Sequence, residues 1–162
     1  MLVSTKGRYA LRMMIDLARQ KGEGRVSLRE IGSRQGISPK YLEQLARLLC
    51  GAGLLEGSRG QGGGYVLARS ARDITAGDIL RATEGTMAPV ACLAREDTQC
   101  PRSSACETNP FWRGLDDAIN GYVDSYTLQD LVDAQTSDEV VPGPCLSYTP
   151  LHPTSSHGKA GA

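Results

Sequence analysis

Ser27-Leu28-Arg29-Glu30-Ile31-Gly32-Ser33-Arg34-Gln35-Gly36-Ile37-Ser38-Pro39-Lys40-Tyr41-Leu42-Glu43-Gln44-Leu45 carries the signals of two short helices joined by one tight turn. Ser27 with Glu30 three residues later forms a capping box, which predicts a helix from Leu28 to Gln35. Gly36 supplies the turn, because glycine enters left-handed backbone without strain. Ser38 suits the cap of the next helix, Pro39 its first position, and Gly51 or Gly53 its end. Small Gly32 falls where two helices cross closely, and Ile31, Ile37, Leu42 and Leu45 recur at inward-facing positions. These are the requirements of a helix-turn-helix, whose second helix enters the DNA major groove.

The side chains that such a helix aims at DNA are Ser38, Lys40, Tyr41, Glu43 and Gln44. Gln44 suits adenine, and Glu43 can accept from a cytosine amino group. Lys40 and Tyr41 suit phosphates, which fix position and orientation. Against these roles stand blander ones, Tyr41 as partial core and Glu43 as a solvated charge. Downstream, Leu54-Leu55-Glu56-Gly57-Ser58 and Tyr65-Val66-Leu67 flank Arg59-Gly60-Gln61-Gly62-Gly63-Gly64, which predicts a β-hairpin. A hairpin here completes a winged helix, with Arg59, Gly60 and Gln61 at a tip that reaches a minor groove. A nucleotide-binding loop is the poorer reading of the glycines, since no Lys-Ser/Thr follows them and no helix starts there.

Outward from this unit, Tyr9, Leu11, Met14, Leu17 and Ala18 predict a first helix over about residues 5–21, ended by Gly22 and Gly24. Thr75 can cap a helix over about residues 76–83. A longer helix is predicted over about residues 110–125, with Phe111, Leu115, Ala118, Ile119 and Tyr122 on one face, and residues 127–134 add a last turn or two. Fourteen of the 27 residues in 136–162 are Pro, Gly, Ser or Thr, a composition expected to stay disordered. The expected organisation is a winged-helix DNA-binding domain (1–84), a cysteine-bearing loop (85–109), a dimerisation helix region (110–135) and a disordered tail (136–162). The fold class is mainly α with one small β-hairpin.

The 162 residues suit one compact domain, or one small domain with an appendage, and 40% hydrophobic content suffices for a modest core. A net charge of zero hides an asymmetry: residues 1–72 carry 13 Lys/Arg against five Asp/Glu, and residues 73–162 carry five against 13. A basic half of this size attracts polyanions, nucleic acid first. No apolar stretch is long enough to span a membrane, and residues 1–6 hold no signal-peptide core, so a cytoplasmic protein is expected. Both histidines, His152 and His157, lie near the end, which removes His-based triads and metal sites from the first 151 residues. An enzyme is not expected.

Five cysteines are present: Cys50, Cys92, Cys100, Cys106 and Cys145. The odd count argues against a disulfide framework. Cys50, beside Leu48 and Leu49, reads as core, and Cys145 as an exposed tail thiol. Cys92, Cys100 and Cys106 share one polar segment, so three thiolates could hold an iron–sulfur cluster, hold zinc with a fourth ligand, or act as redox-active thiols.

Gly7-Arg8-Tyr9-Ala10, Ile37-Ser38-Pro39-Lys40-Tyr41-Leu42-Glu43-Gln44-Leu45 and Arg59-Gly60-Gln61-Gly62-Gly63-Gly64-Tyr65 resemble the IscR-type family of bacterial winged-helix regulators. The likeness covers about residues 1–135, and three motifs in order make it specific. It implies a homodimer joined by the long C-terminal helix, binding a roughly two-fold symmetric double-stranded operator through the third helix and the wing. It also implies an iron–sulfur cluster on Cys92, Cys100 and Cys106, 2Fe–2S in preference to 4Fe–4S. Two features depart from the family: the Cys92 to Cys100 spacing is long, and Asn109 stands where cluster-sensing members place a histidine. Glu96, Asp97, Glu107, Cys145, a residue of the partner subunit or solvent would then complete the ligand set. The resulting expectation is a dimeric DNA-binding regulator controlled by that cluster; the alternative is a winged-helix regulator with a zinc or thiol-switch site.

Overall fold

The computed structural model describes residues 3–20, 24–60, 62–94, 100 and 105–134. Among them are helices α1 (Thr5–Arg19), α2 (Leu28–Gln35), α3 (Pro39–Gly51), α4 (Ala76–Glu84), α5 (Asn109–Asp124) and α6 (Leu128–Asp133), and strands β1 (Leu55–Ser58) and β2 (Gly64–Leu67). The strands pair antiparallel, Leu55 opposite Leu67 and Ser58 opposite Gly64. The chain is therefore mainly α with one hairpin, as its sequence predicts.

Local chemistry sets most boundaries. Ser27, Thr75 and Thr127 each cap a helix, and each donates its backbone N–H in return to an acidic side chain three residues on, Glu30, Asp78 and Asp130. Gly36 ends α2 at φ +66°, and Gly53 follows α3 at φ +67°. The first helix stops at Arg19, where the Gln20 N–H turns back to the Leu17 carbonyl. A 3₁₀ turn at Ala91–Leu93, which the sequence does not signal, holds Cys92. Gln61, residues 95–99 with Glu96 and Asp97, and residues 135–162 with Cys145 lie outside the described residues.

One core unites α1, α2, α3, α4, the base of the wing and α6. Met13, Met14, Ile31, Leu42, Leu45, Leu49, Leu54, Ile74, Ile79 and Leu128 are fully buried in it. Ala10 and Met13 of α1 enter this core, whereas Tyr9 and Leu11 only flank it. The inward stripe runs through positions 10, 13, 14, 17 and 18, a helical spacing that leaves Tyr9 and Leu11 at its edges. Cys50 is half-buried and packs against the core without joining its interior; burial raises its thiol pKa.

Two polar contacts lock α1. Glu84, at the end of α4, accepts from the Ser4 hydroxyl (2.7 Å), the Ser4 N–H (3.0 Å) and the Gly7 N–H (3.0 Å). A Cβ at Gly7 would stand 2.7 Å from that carboxylate oxygen, so any larger residue would have to displace it. On the other side, the Asp16 carboxylate, only 4% exposed, accepts from Arg34 Nη2 (2.7 Å), Arg34 Nε (3.0 and 3.2 Å) and Gln35 Nε2 (3.0 Å). This ties the end of α2, just before the turn, to α1.

Candidate nucleic-acid interface and cysteine segment

The helix-turn-helix is formed by α2, Gly36 and α3. Gly32 is buried where they meet: a Cβ there would stand 2.6 Å from the Ile37 carbonyl oxygen, which is backbone and cannot swing aside. Ser38 caps α3 by accepting from the Tyr41 N–H at 3.3 Å. Leu42, Leu45, Ala46 and Leu49 are buried, so α3 presents its opposite face to solvent, with Lys40, Glu43 and Gln44 exposed on it. Tyr41 is half-buried, edge-on to Tyr9 at 5.9 Å between ring centroids. Arg12 lies over the Tyr9 ring at 5.4 Å and also donates to the Gln35 carbonyl. Tyr41 is therefore partly core, its ring bracing α3 against α1.

Arg47, one turn beyond Glu43, shares the exposed face and approaches it at 3.8 Å. Arg47 lies outside the motif residues, although an i,i+4 Glu–Arg pair on the outward stripe of α3 is a legible signal. Such an exposed pair contributes little to stability. Glu43 is thus available for DNA. Glu43→Ala is expected to change unfolding free energy by less than about 0.5 kcal/mol while broadening the sites recovered in a binding selection. The same consensus from both proteins would show that Glu43 selects nothing.

The wing stands beside this face. Arg59 and Gly60 are exposed at its tip, with Gly60 at φ +97° and Gly62 at φ +77°. A Cβ on Gly63 would lie 2.5 Å from the Ser58 carbonyl oxygen, so the glycine run serves a tight turn. At the base, Tyr65 exchanges two backbone bonds with Val26 (3.0 and 2.8 Å), and Arg25 donates to the Glu56 carbonyl (3.3 Å). These hold the hairpin to the segment entering α2. Ser38, Lys40, Glu43, Gln44 and Arg59 are exposed, and α3 and the wing border a shared groove of about 270 Å³ lined by Arg47, Cys50, Leu55, Gly57 and Arg59.

The cysteines lie between α4 and α5. Cys92 is exposed, Cys100 and Cys106 are half-exposed, and none of the three is in a disulfide. Among the described residues, no three Cys, His, Asp or Glu side chains stand together as a metal-ligand set. The donor chemistry suits a soft iron site, but the thiols are not gathered into one. Cys106 Sγ lies 3.4 Å from Thr108 Oγ1. Asn109 opens α5, its side-chain oxygen accepting from Arg113 Nε at 3.0 Å.

The chain matches the family model of Rrf2, described as an iron-dependent transcriptional regulator, over residues 3–134. It belongs to the Rrf2 family. Among Rrf2 relatives, the protein rrf2 of Nitratidesulfovibrio vulgaris is 42% identical over 132 residues, 82% of this chain and 87% of that one. The structure of CymR, the global cysteine regulator of B. subtilis, superposes with a TM-score of 0.67 at 43% identity, covering 82% of this chain and 97% of that one. That of T. potens IscR gives 0.65 at 38% identity, covering 91% and 97%. The chain is accordingly a winged-helix transcriptional regulator of Rrf2 type and no enzyme. No helix among the described residues is long and apolar enough to cross a membrane.

Proposed function

We propose that this Rrf2 regulator binds a two-fold symmetric operator as a homodimer and that an iron–sulfur cluster on Cys92, Cys100 and Cys106 controls the binding. One observation carries the DNA half: a capped, exposed reading face on α3 lies next to a wing ending in Arg59. The unpartnered face of α5 supports the dimer. Phe111 (65% exposed), Leu115 and Tyr122 (47%) are exposed there, and no side chain of the helix is buried. A second α5 is an occupant of matching shape and chemistry.

The family description and the likeness to IscR support iron. Cys92, Cys100 and Cys106 would hold the cluster, which would supply an oxidant-sensitive centre on the segment joining α4 to α5. A thiol switch is the second reading. The likeness to a cysteine regulator favours it. An absorption spectrum of anaerobically purified protein, with iron and sulfide analysis, separates the two. Visible absorption with iron and sulfide is expected; colourless, iron-free protein whose operator binding still responds to oxidant would establish the thiol switch.

The DNA half has its own test. Log K for an operator duplex should fall by about 0.9 for each phosphate neutralised as log salt rises. Arg59→Ala should weaken binding about tenfold and flatten that slope by about one unit. Salt-independent binding would rule out the winged-helix contact.

A further inference from the structure

We propose, building on the dimer and operator reading above, that Arg81 is a positioning residue that sets the angle of α5 to the winged head and so the operator half-site spacing. α5 has two unlike sides. The apolar side carries exposed Phe111, Leu115 and Tyr122. The polar side meets α4 through Asn120 and Asp124, one turn apart. Arg81 Nη2 donates to Asp124 Oδ1 at 2.5 Å, and Arg81 Nη1 donates to Asp124 Oδ2 and Asn120 Oδ1 at 3.3 Å each. Asn120 is oriented for this by donating its own Nδ2 to the Asp116 carbonyl at 2.9 Å. Thr75 Oγ1 adds a contact to Asp124 at 3.4 Å.

The chain just after α5 is fixed in another way. The Ala76 N–H donates to the Tyr126 carbonyl (2.8 Å), the Leu128 N–H donates to the Ile74 carbonyl (2.7 Å), and Leu128 is fully buried. One end of α5 is thus anchored by backbone and core, while the polar contacts around Arg81 hold its adjoining turns against α4. Gly77 marks how closely the parts approach. A Cβ there would overlap Asp124 Oδ1 and stand 2.7 Å from Arg81 Nη2.

The leverage is large. The 16 residues of α5 span ~24 Å. A tilt of about 10° at the anchored end moves the other end by about 4 Å, on the order of one base-pair step. In a dimer joined along α5, the separation of the two reading helices follows that tilt.

Operator duplexes whose half-sites are moved one base pair closer or farther apart, and a duplex with one half-site, provide the test. The wild-type chain should lose about tenfold in affinity on either change, because the duplex must twist to fit. Arg81→Ala removes the contact, and Gly77→Ala pushes Asp124 away with every charge retained. Both should flatten or shift the spacing profile, keep the dimer by sedimentation, and bind the single half-site as the wild type does. Arg81→Lys, charged but without the fork, should fall between. An unchanged profile in both Arg81→Ala and Gly77→Ala overturns the role of Arg81, as does an equal loss at every spacing and on the half-site. A monomeric or salt-indifferent wild type would instead overturn the dimer and operator reading on which this role rests.

Discussion

Cys92→Ala, Cys100→Ala and Cys106→Ala should each leave the anaerobically purified protein bleached, with iron and sulfide lost together. Thiolate is the soft ligand that iron–sulfur clusters use, and no other thiol lies among the described residues between α4 and α5. Cys50→Ala should keep the spectrum: Cys50 lies against the core at the end of α3, and burial raises its thiol pKa. Cys145→Ala should keep it as well. Asn109→His is the informative companion. It places an imidazole where the related cluster sensors carry one, and it releases Arg113 Nε from the Asn109 side chain. That variant should lose its colour in air several-fold more slowly, since a stronger fourth ligand retards loss of iron by about that much. Equal decay rates would mean that another group fills the fourth position.

Asp16→Ala is expected to lower the unfolding free energy by about 3 kcal/mol, the second large effect. Asp16 is nearly inaccessible and receives four hydrogen bonds from Arg34 and Gln35. Its removal leaves that guanidinium and amide facing a void at the joint of α1 and α2. Arg34 is partly solvated, with 39% of its side chain accessible, which keeps the loss at the lower end of the range for buried pairs, about 3–5 kcal/mol. Asp16→Asn keeps the shape and loses the charge, so about half the effect is expected. Denaturant midpoints by circular dichroism measure both, and a change within about 0.5 kcal/mol for Asp16→Ala would show that the joint does not depend on this pair.

The same carboxylate predicts a pH dependence. Burial pushes the Asp16 carboxyl up, but hydrogen bonds from Arg34 and Gln35 and the charges of Arg34 and Arg19 more than offset this, so it sits below its ordinary value of 3.8. Its contribution is therefore fully present above that value and is lost as pH falls through the lower folded value. Glu84 adds in the same sense: desolvation raises its carboxyl, while Ser4, the Gly7 N–H and Lys6 hold it below 4.5. Wild-type stability should decline with acid below about pH 4, and Asp16→Asn should show a shallower decline.

The sequence alone determined the helix-turn-helix. Ser27 with Glu30, Gly36 and Ser38-Pro39 are each read by backbone within four residues, so local chemistry was enough to place α2 and the start of α3 at their observed limits. The hairpin was legible for the same reason, since its turn needs positive φ at Gly60 and Gly62 and the glycines are there. Contacts made across long sequence separations were decided only by the tertiary structure. Nothing near Asp16 indicates that it faces Arg34, 18 residues away, and nothing near Glu84 that it caps a helix 80 residues earlier. The apolar face of α5 was visible as a pattern, yet a pattern shows which side chains share a side and not what covers them. In the folded subunit Phe111, Leu115 and Tyr122 stay exposed, while the opposite side is held by Arg81. Cysteine spacing likewise fixed which thiols share a segment. Whether they meet depends on the path of that segment in space, which spacing alone does not set, and among the described residues no three Cys, His, Asp or Glu side chains stand together.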